Sequence, residues 1–143
     1  MTLFFDRDMG RTIPEALRAL DLDVERHDDH LDPRTKDEQW LEEIGRRGWP
    51  VISRDQRLLR NQSARRALAD NKVGCFVLFG AGNKPRWFAV RIIARNWDDI
   101  EHPCRSENRP FLYRLYLARA PKREELPGHY SSSHIWLTPD EGT

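Results

Sequence analysis

Cysteine is scarce in this sequence, with Cys75 and Cys104 the two examples in 143 residues. Two cysteines cannot build the disulfide framework of a small secreted domain, so a reducing cytoplasm is the expected setting. No stretch reaches the roughly 18 consecutive apolar residues of a membrane span. The short apolar patch at the N-terminus meets Asp6, Arg7 and Asp8 at once, so it is not expected to serve as a secretory signal. Internal repeats are absent, and a large charge of either sign is lacking, the formal net charge being +1.

What is there suits one domain. A chain near 150 residues buries roughly 70% of its unfolded surface and folds without staples. Hydrophobic residues make up 38% and charged residues 33%, with a mean hydropathy of −0.78. That is a wet surface around a modest core, not a disordered chain. The near-zero charge hides a division. Residues 1–55 hold 14 Asp/Glu against 9 Lys/Arg, whereas residues 56–143 hold 9 against 15. Such a chain can gather carboxylates in one half and meet a polyanion with the other, although ordinary surface charge gives the same totals.

Residues 2–5 read as a buried first strand ending at Asp6. Thr12 with Glu15 forms a capping-box pattern for a helix over about 13–20. Val24 to Arg26 is a weak second strand. Thr35 with Glu38 is a second capping box, opening a helix of about 36–47 that stops at Gly48. Pro50 to Ser53 is a third strand running into Arg54-Asp55, and Ser63 can cap a basic helix of about 64–71. Val73 to Phe79 is apolar enough for a central parallel strand. A helix of about 85–101 follows, and then a fifth strand from Phe111 to Leu117. The alternation predicts an α/β fold, a mostly parallel five-stranded sheet flanked by helices. The domain is expected over residues 1–117, with 118–143 a C-terminal tail, docked or flexible, in which Ile135-Trp136-Leu137 offers a docking point.

Ligands of open α/β sheets sit outside the carboxyl ends of the strands. Asp6 and Asp8 follow strand one, and Asp55 follows strand three. On the second helix Trp40, Leu41 and Ile44 define the buried arc, and Asp37 falls inside it, whereas Glu42 and Glu43 fall outside. Glu38 is borderline, and its capping role accounts for it. Asp6, Asp37 and Asp55 should then point into one crevice. Clustered carboxylates repel, and burial penalises each charge further, so a cation is needed to offset them. Oxygen-only ligands favour Mg²⁺ or Mn²⁺, which can activate water for attack on a phosphodiester. Each Asp singly also suits a turn, a helix cap or the positive end of a helix.

Phe4-Phe5-Asp6-Arg7-Asp8, Thr35-Lys36-Asp37-Glu38-Gln39-Trp40-Leu41 and Val51-Ile52-Ser53-Arg54-Asp55 together resemble PIN-like domain ribonucleases, in the branch of VapC-type toxins. The likeness runs over about residues 1–117 and rests on the order and spacing of short motifs. It implies a five-stranded parallel sheet between helices and Mg²⁺- or Mn²⁺-dependent cleavage of RNA. It further implies that Asp6, Asp37 and Asp55 are the catalytic, metal-binding acids, with Asp8 an additional ligand. A fourth acid common in the family is missing, since Phe79-Gly80-Ala81-Gly82 stands at the end of strand four. A type II toxin of this kind would pair with a small antitoxin and form a homodimer. Arg54, Arg57, Lys84, Arg91 and Arg95 are then expected to meet RNA phosphates, each being equally explicable as solvated surface. Trp87 and Tyr113 could stack on bases, or belong to the core.

Two other families share part of the pattern. Asp6-Arg7-Asp8 resembles the first motif of haloacid-dehalogenase phosphatases, but Met9 breaks the usual run before Gly10 and Thr12. Receiver domains carry an acidic pair after strand one and a phosphoacceptor at the position of Asp55, yet the expected Ser/Thr and Lys-Pro signals are missing. His27-Asp28-Asp29-His30 reads as a hydrophilic loop or a zinc half-site, and His102 with Cys104 lacks a second half-site.

Overall fold

The computed structural model describes residues 1–128, in which six strands form one sheet. The chain runs β1 (Leu3–Phe5), α1 (Thr12–Ala19), β2 (Val24–Arg26), α2 (His27–His30), α3 (Asp37–Arg47), β3 (Val51–Ser53) and α4 (Gln62–Asp70). It continues through β4 (Gly74–Leu78), α5 (Arg86–Arg95), α6 (Trp97–Ser106), β5 (Phe111–Leu115) and β6 (Lys122–Glu124). The sheet order is β2-β1-β3-β4-β5-β6, parallel throughout except for the β5–β6 pair. Helices cover both faces, as parallel crossovers require. On one face Ile13 and Leu17 of α1, Ala89, Ile92 and Ile93 of α5, and Ile100 of α6 pack against Leu3, Phe5 and Phe76. On the other, Trp40, Leu41 and Ile44 of α3 and Leu68 of α4 pack against Phe4, Val51 and Val77. Burying each such large apolar side chain contributes about 1.5–3 kcal/mol before conformational entropy is set against it.

Several local expectations change. Neither capping box forms: α1 starts after Arg11 and α3 after Lys36, and neither cap makes a side-chain bond. Asn61, not Ser63, caps α4, its side chain accepting from the Ala64 N–H. The single helix expected over 85–101 is two, divided at the fully buried Asn96. Its carboxamide donates to the carbonyls of Ile92 and Tyr116, 2.8 Å each, so a side chain competes with the helix and ties the break to β5. The α3 stop at Gly48 stands, with the residue in the left-handed conformation at φ 74°.

The sheet gains a sixth strand from the segment expected as a tail. Lys122–Glu124 pairs antiparallel with β5. Glu124 bridges Arg65 at 3.1 Å and Arg114 at 2.9 Å, both pairs largely sheltered from water. Ile135-Trp136-Leu137 lies outside the described residues. Among the described residues, no helix is long and apolar enough to cross a membrane.

Candidate metal centre and nucleic-acid face

Sheet order reverses direction at β1, whose neighbours are β2 on one side and β3 on the other. A crevice opens at such a switch point beyond the carboxyl ends of the strands. The register places Phe5 against Ile52, and the Asp6 N–H donates to the Ile52 carbonyl at 3.0 Å. The residues that follow, Asp6 on one strand and Ser53 on the next, are therefore forced side by side.

Ser53 is the centre of what results, and it is fully buried. Its Oγ lies 3.0 Å from Asp6 Oδ2 and 3.4 Å from Asp8 Oδ2, and it accepts the Asp55 N–H at 3.0 Å. One hydroxyl thus spaces three carboxylate-bearing residues. Sequence reasoning passed over it. The signal was a lone hydroxyl in the otherwise apolar strand Val51-Ile52-Ser53, placed where the acids converge.

The other bonds are local. Asp6 caps the 3₁₀ turn Arg7–Met9, its Oδ1 accepting the Arg7 N–H at 2.6 Å. Asp8 accepts the Arg54 N–H at 3.2 Å. Burial pushes the Asp6 carboxyl above the ordinary carboxylate value, against the hydrogen bonds from Ser53 and Arg7. Burial also drives Asp8 up to about 7, with the charge of Asp6 adding to it. Although much of Asp8 meets solvent, its carboxyl turns toward Ser53 and Arg54. Asp55 goes the other way: burial raises it, but the hydrogen bonds and charge of Arg57 together outweigh that and hold it below its usual value.

Asp37 completes the set differently from expectation. It is the first residue of α3 and 69% exposed rather than buried in the apolar arc, because at the first turn nothing packs over it. The indole of Trp40, one turn on, donates to its Oδ1 at 3.0 Å and orients it. Asp6, Asp8, Asp37 and Asp55 all line one cavity of about 560 Å³, walled on its apolar side by Trp40 and Leu41. Glu38, no longer engaged in a capping box, lines it too, whereas Glu43 pairs with Arg46 and Arg47. His27 is buried rather than set in a loop, against Phe4 and Trp40, with Asp28 accepting from its Nδ1 at 3.0 Å.

The donors fit a hard divalent cation in chemistry: they are carboxylates, and burial raises those of Asp6 and Asp8. As they stand, no three Asp, Glu, His or Cys among the described residues are close enough together to hold an ion. Arg57 is engaged with two of the acids. Its guanidinium bonds Asp55 and lies 3.9 Å from Asp37 Oδ2.

The basic residues divide into three groups. Arg54 donates to the carbonyls of Ala81, Gly82 and Lys84, at 2.5 to 3.2 Å, and so straps the loop after β4 to the crevice rim. A cation thereby holds the loop Phe79-Gly80-Ala81-Gly82, which carries no acid of its own. Arg57 is engaged with the acids. Lys84, Arg91 and Arg95 are exposed and carry no ion pair among the described residues. Tyr113 stacks on Phe76 and donates to Glu107, which makes it part of the scaffold. Trp87, by contrast, is 68% exposed.

These features agree with an independent comparison. A family model described as a PIN like domain matches residues 1–80, more than half of the chain and the whole stretch that carries the four acids. No curated protein matches the chain, and no solved structure does. PIN-like domains are generally nucleases. Acids gathered at the β1–β3 switch point and a match over residues 1–80 lead to one assignment: the chain belongs to the PIN-like domain family.

Proposed function

We propose that the protein is a metal-dependent endoribonuclease that hydrolyses RNA phosphodiester bonds, and that it acts as the toxin of a type II toxin–antitoxin pair. The observation that carries the nuclease reading is the Ser53-centred cluster, in which Asp6 and Asp8 are both shifted upward by burial beside Asp55. Such a cluster is costly without a cation and useful with one. Asp6, Asp8, Asp37 and Asp55 would hold Mg²⁺ or Mn²⁺, which when bound supplies Lewis-acid polarisation of a phosphodiester and a water of lowered pKa.

The chain's own residues do the rest. Ser53 spaces Asp6 from Asp8 and fixes the backbone of Asp55. Trp40 orients Asp37 while its ring stacks on Phe4, closing the apolar wall of the crevice. Arg57, once released from Asp55, is placed to neutralise phosphate oxygens, and Lys84, Arg91 and Arg95 extend that field along α5. Arg54 contributes by keeping Lys84 at the rim. The toxin assignment, a cognate antitoxin, a homodimer and a cytoplasmic setting rest on the resemblance of the motifs to VapC-type toxins.

The experiment is cleavage of a mixed RNA pool by the wild type with Mn²⁺, with EDTA, and by Asp6→Asn prepared in parallel. Cutting that requires both metal and Asp6 is the expected result. Equal behaviour of wild type and variant, with hydrolysis of a small phosphate monoester instead, would replace the nuclease reading by the phosphatase one.

A further inference from the structure

Between Asn71 and Trp97 the chain contains five cations and no Asp or Glu. Four of the five, Lys84, Arg86, Arg91 and Arg95, lie on α5 or just before it, all exposed and none ion-paired among the described residues. The helix buries Ala89, Ile92 and Ile93 against the sheet. At about 100° per residue, Trp87 and Arg91 lie opposite that buried arc, with Arg95 beside them. The outward face of α5 is thus a tryptophan set among cations.

Trp87 is 68% exposed, although indole is among the side chains with most to gain from burial. An apolar protein surface is a poor match, because docking it would strip water from Arg86, Arg91 and Arg95 with no counter-charge offered. A flexible polyanion with π-faces fits both features at once: bases stack on the indole while phosphates meet the cations. Location adds to the case. Arg54 gives its backbone N–H to Asp8 and its guanidinium to the loop that leads into α5, so this helix starts at the rim of the acidic crevice. From there it runs for about 15 Å, about four nucleotides of a stacked strand.

We infer that the outer face of α5 is a track for single-stranded RNA leaving the crevice, with Trp87 stacking on an unpaired base and Lys84, Arg91 and Arg95 taking the backbone. This rests on the nuclease reading and adds to it a binding path outside the acidic crevice, with Trp87 as its stacking residue.

The test is fluorescence anisotropy of a labelled short oligouridine, and of a matched RNA duplex, on the wild type and variants in EDTA. Trp87→Ala should weaken oligouridine binding about ten-fold and leave duplex binding unchanged, and Trp87→Phe should restore most of the loss. The double variant Arg91→Gln/Arg95→Gln should flatten the salt dependence by about 1.4 in log–log slope. Thermal melts check that each variant is folded. Oligouridine binding unaffected by Trp87→Ala overturns the track, and the nuclease reading survives if the wild type still cuts RNA with Mn²⁺. A wild type that neither binds nor cuts RNA sinks both. Polyglutamate binding the wild type more tightly than oligouridine of the same charge would also overturn the track, making α5 a face for acidic protein segments.

Discussion

Arg57 clasps Asp55 with three side-chain hydrogen bonds, Nε to Oδ1 at 3.0 Å, Nε to Oδ2 at 3.1 Å and Nη2 to Oδ2 at 2.6 Å. The same guanidinium approaches Asp37. The cation nearest these acids is therefore the chain's own, and a divalent ion bound by Asp55 must compete with it. Arg57 is 68% exposed, so its release costs about 1 kcal/mol or less.

That competition has a direction. Arg57→Gln should bind Mn²⁺ more tightly by up to about five-fold in calorimetry, and the Asp55 carboxyl should titrate higher in metal-free protein. An unchanged affinity would mean that the clasp does not stand in the ion's way.

The carboxyl of Asp8 makes metal-free stability depend on pH. Its value in the fold, about 7, lies above the ordinary 3.8, so the fold favours the protonated form. This contribution is complete below about pH 4 and is lost as the pH rises through 7. Asp8→Asn should therefore gain on the wild type between pH 5 and 8, by about 1 kcal/mol after allowing for solvent screening. Melting curves in EDTA across that range measure it, and parallel pH profiles for the two proteins would refute it.

Asp6→Asn separates function from folding. The amide keeps an oxygen to accept the Arg7 N–H, while one charge leaves the cluster. RNA cleavage should disappear, and metal-free melting temperature should hold or rise. A clear fall in melting temperature would assign Asp6 a structural task.

Trp40→Phe removes the indole hydrogen bond to Asp37 while leaving a ring to stack on Phe4. Cleavage should slow by about ten-fold, as for other groups that orient a ligand. Stability should change by about 1 kcal/mol. Full activity in this variant would show that Asp37 needs no such support.

Much of the architecture is legible because it is periodic. Unbroken apolar runs at Leu3–Phe5, Val51–Ile52 and Cys75–Leu78 can be buried on both faces in a parallel sheet, and the helices between them carry one apolar stripe each. Strand ends then locate Asp6, Asp8 and Asp55 without further help. Asn96 is the counter-example. It continues the apolar face of a long helix in the sequence, yet its carboxamide reaches Tyr116, twenty residues away, and the helix divides. Strand β6 was hidden for a similar reason: Lys122-Arg123-Glu124 has no apolar alternation and is held by ion pairs from Arg65 and Arg114.

By itself the sequence determined the order of strands and helices and the presence of acids at one edge, because local periodicity and chain geometry impose both. Tertiary structure alone decided which partners those acids meet. The parallel register of β1 and β3 brings Ser53 between Asp6 and Asp8, forty-seven and forty-five residues apart in the chain. Crossing α3 to the same edge leaves Asp37 open to water and within reach of Arg57. Packing of α5 on the sheet turns Trp87 outward. Side-chain periods of 2 and 3.6 residues describe an element, and none of them specifies a contact between elements; those contacts set the charge, the spacing and the shape of the site.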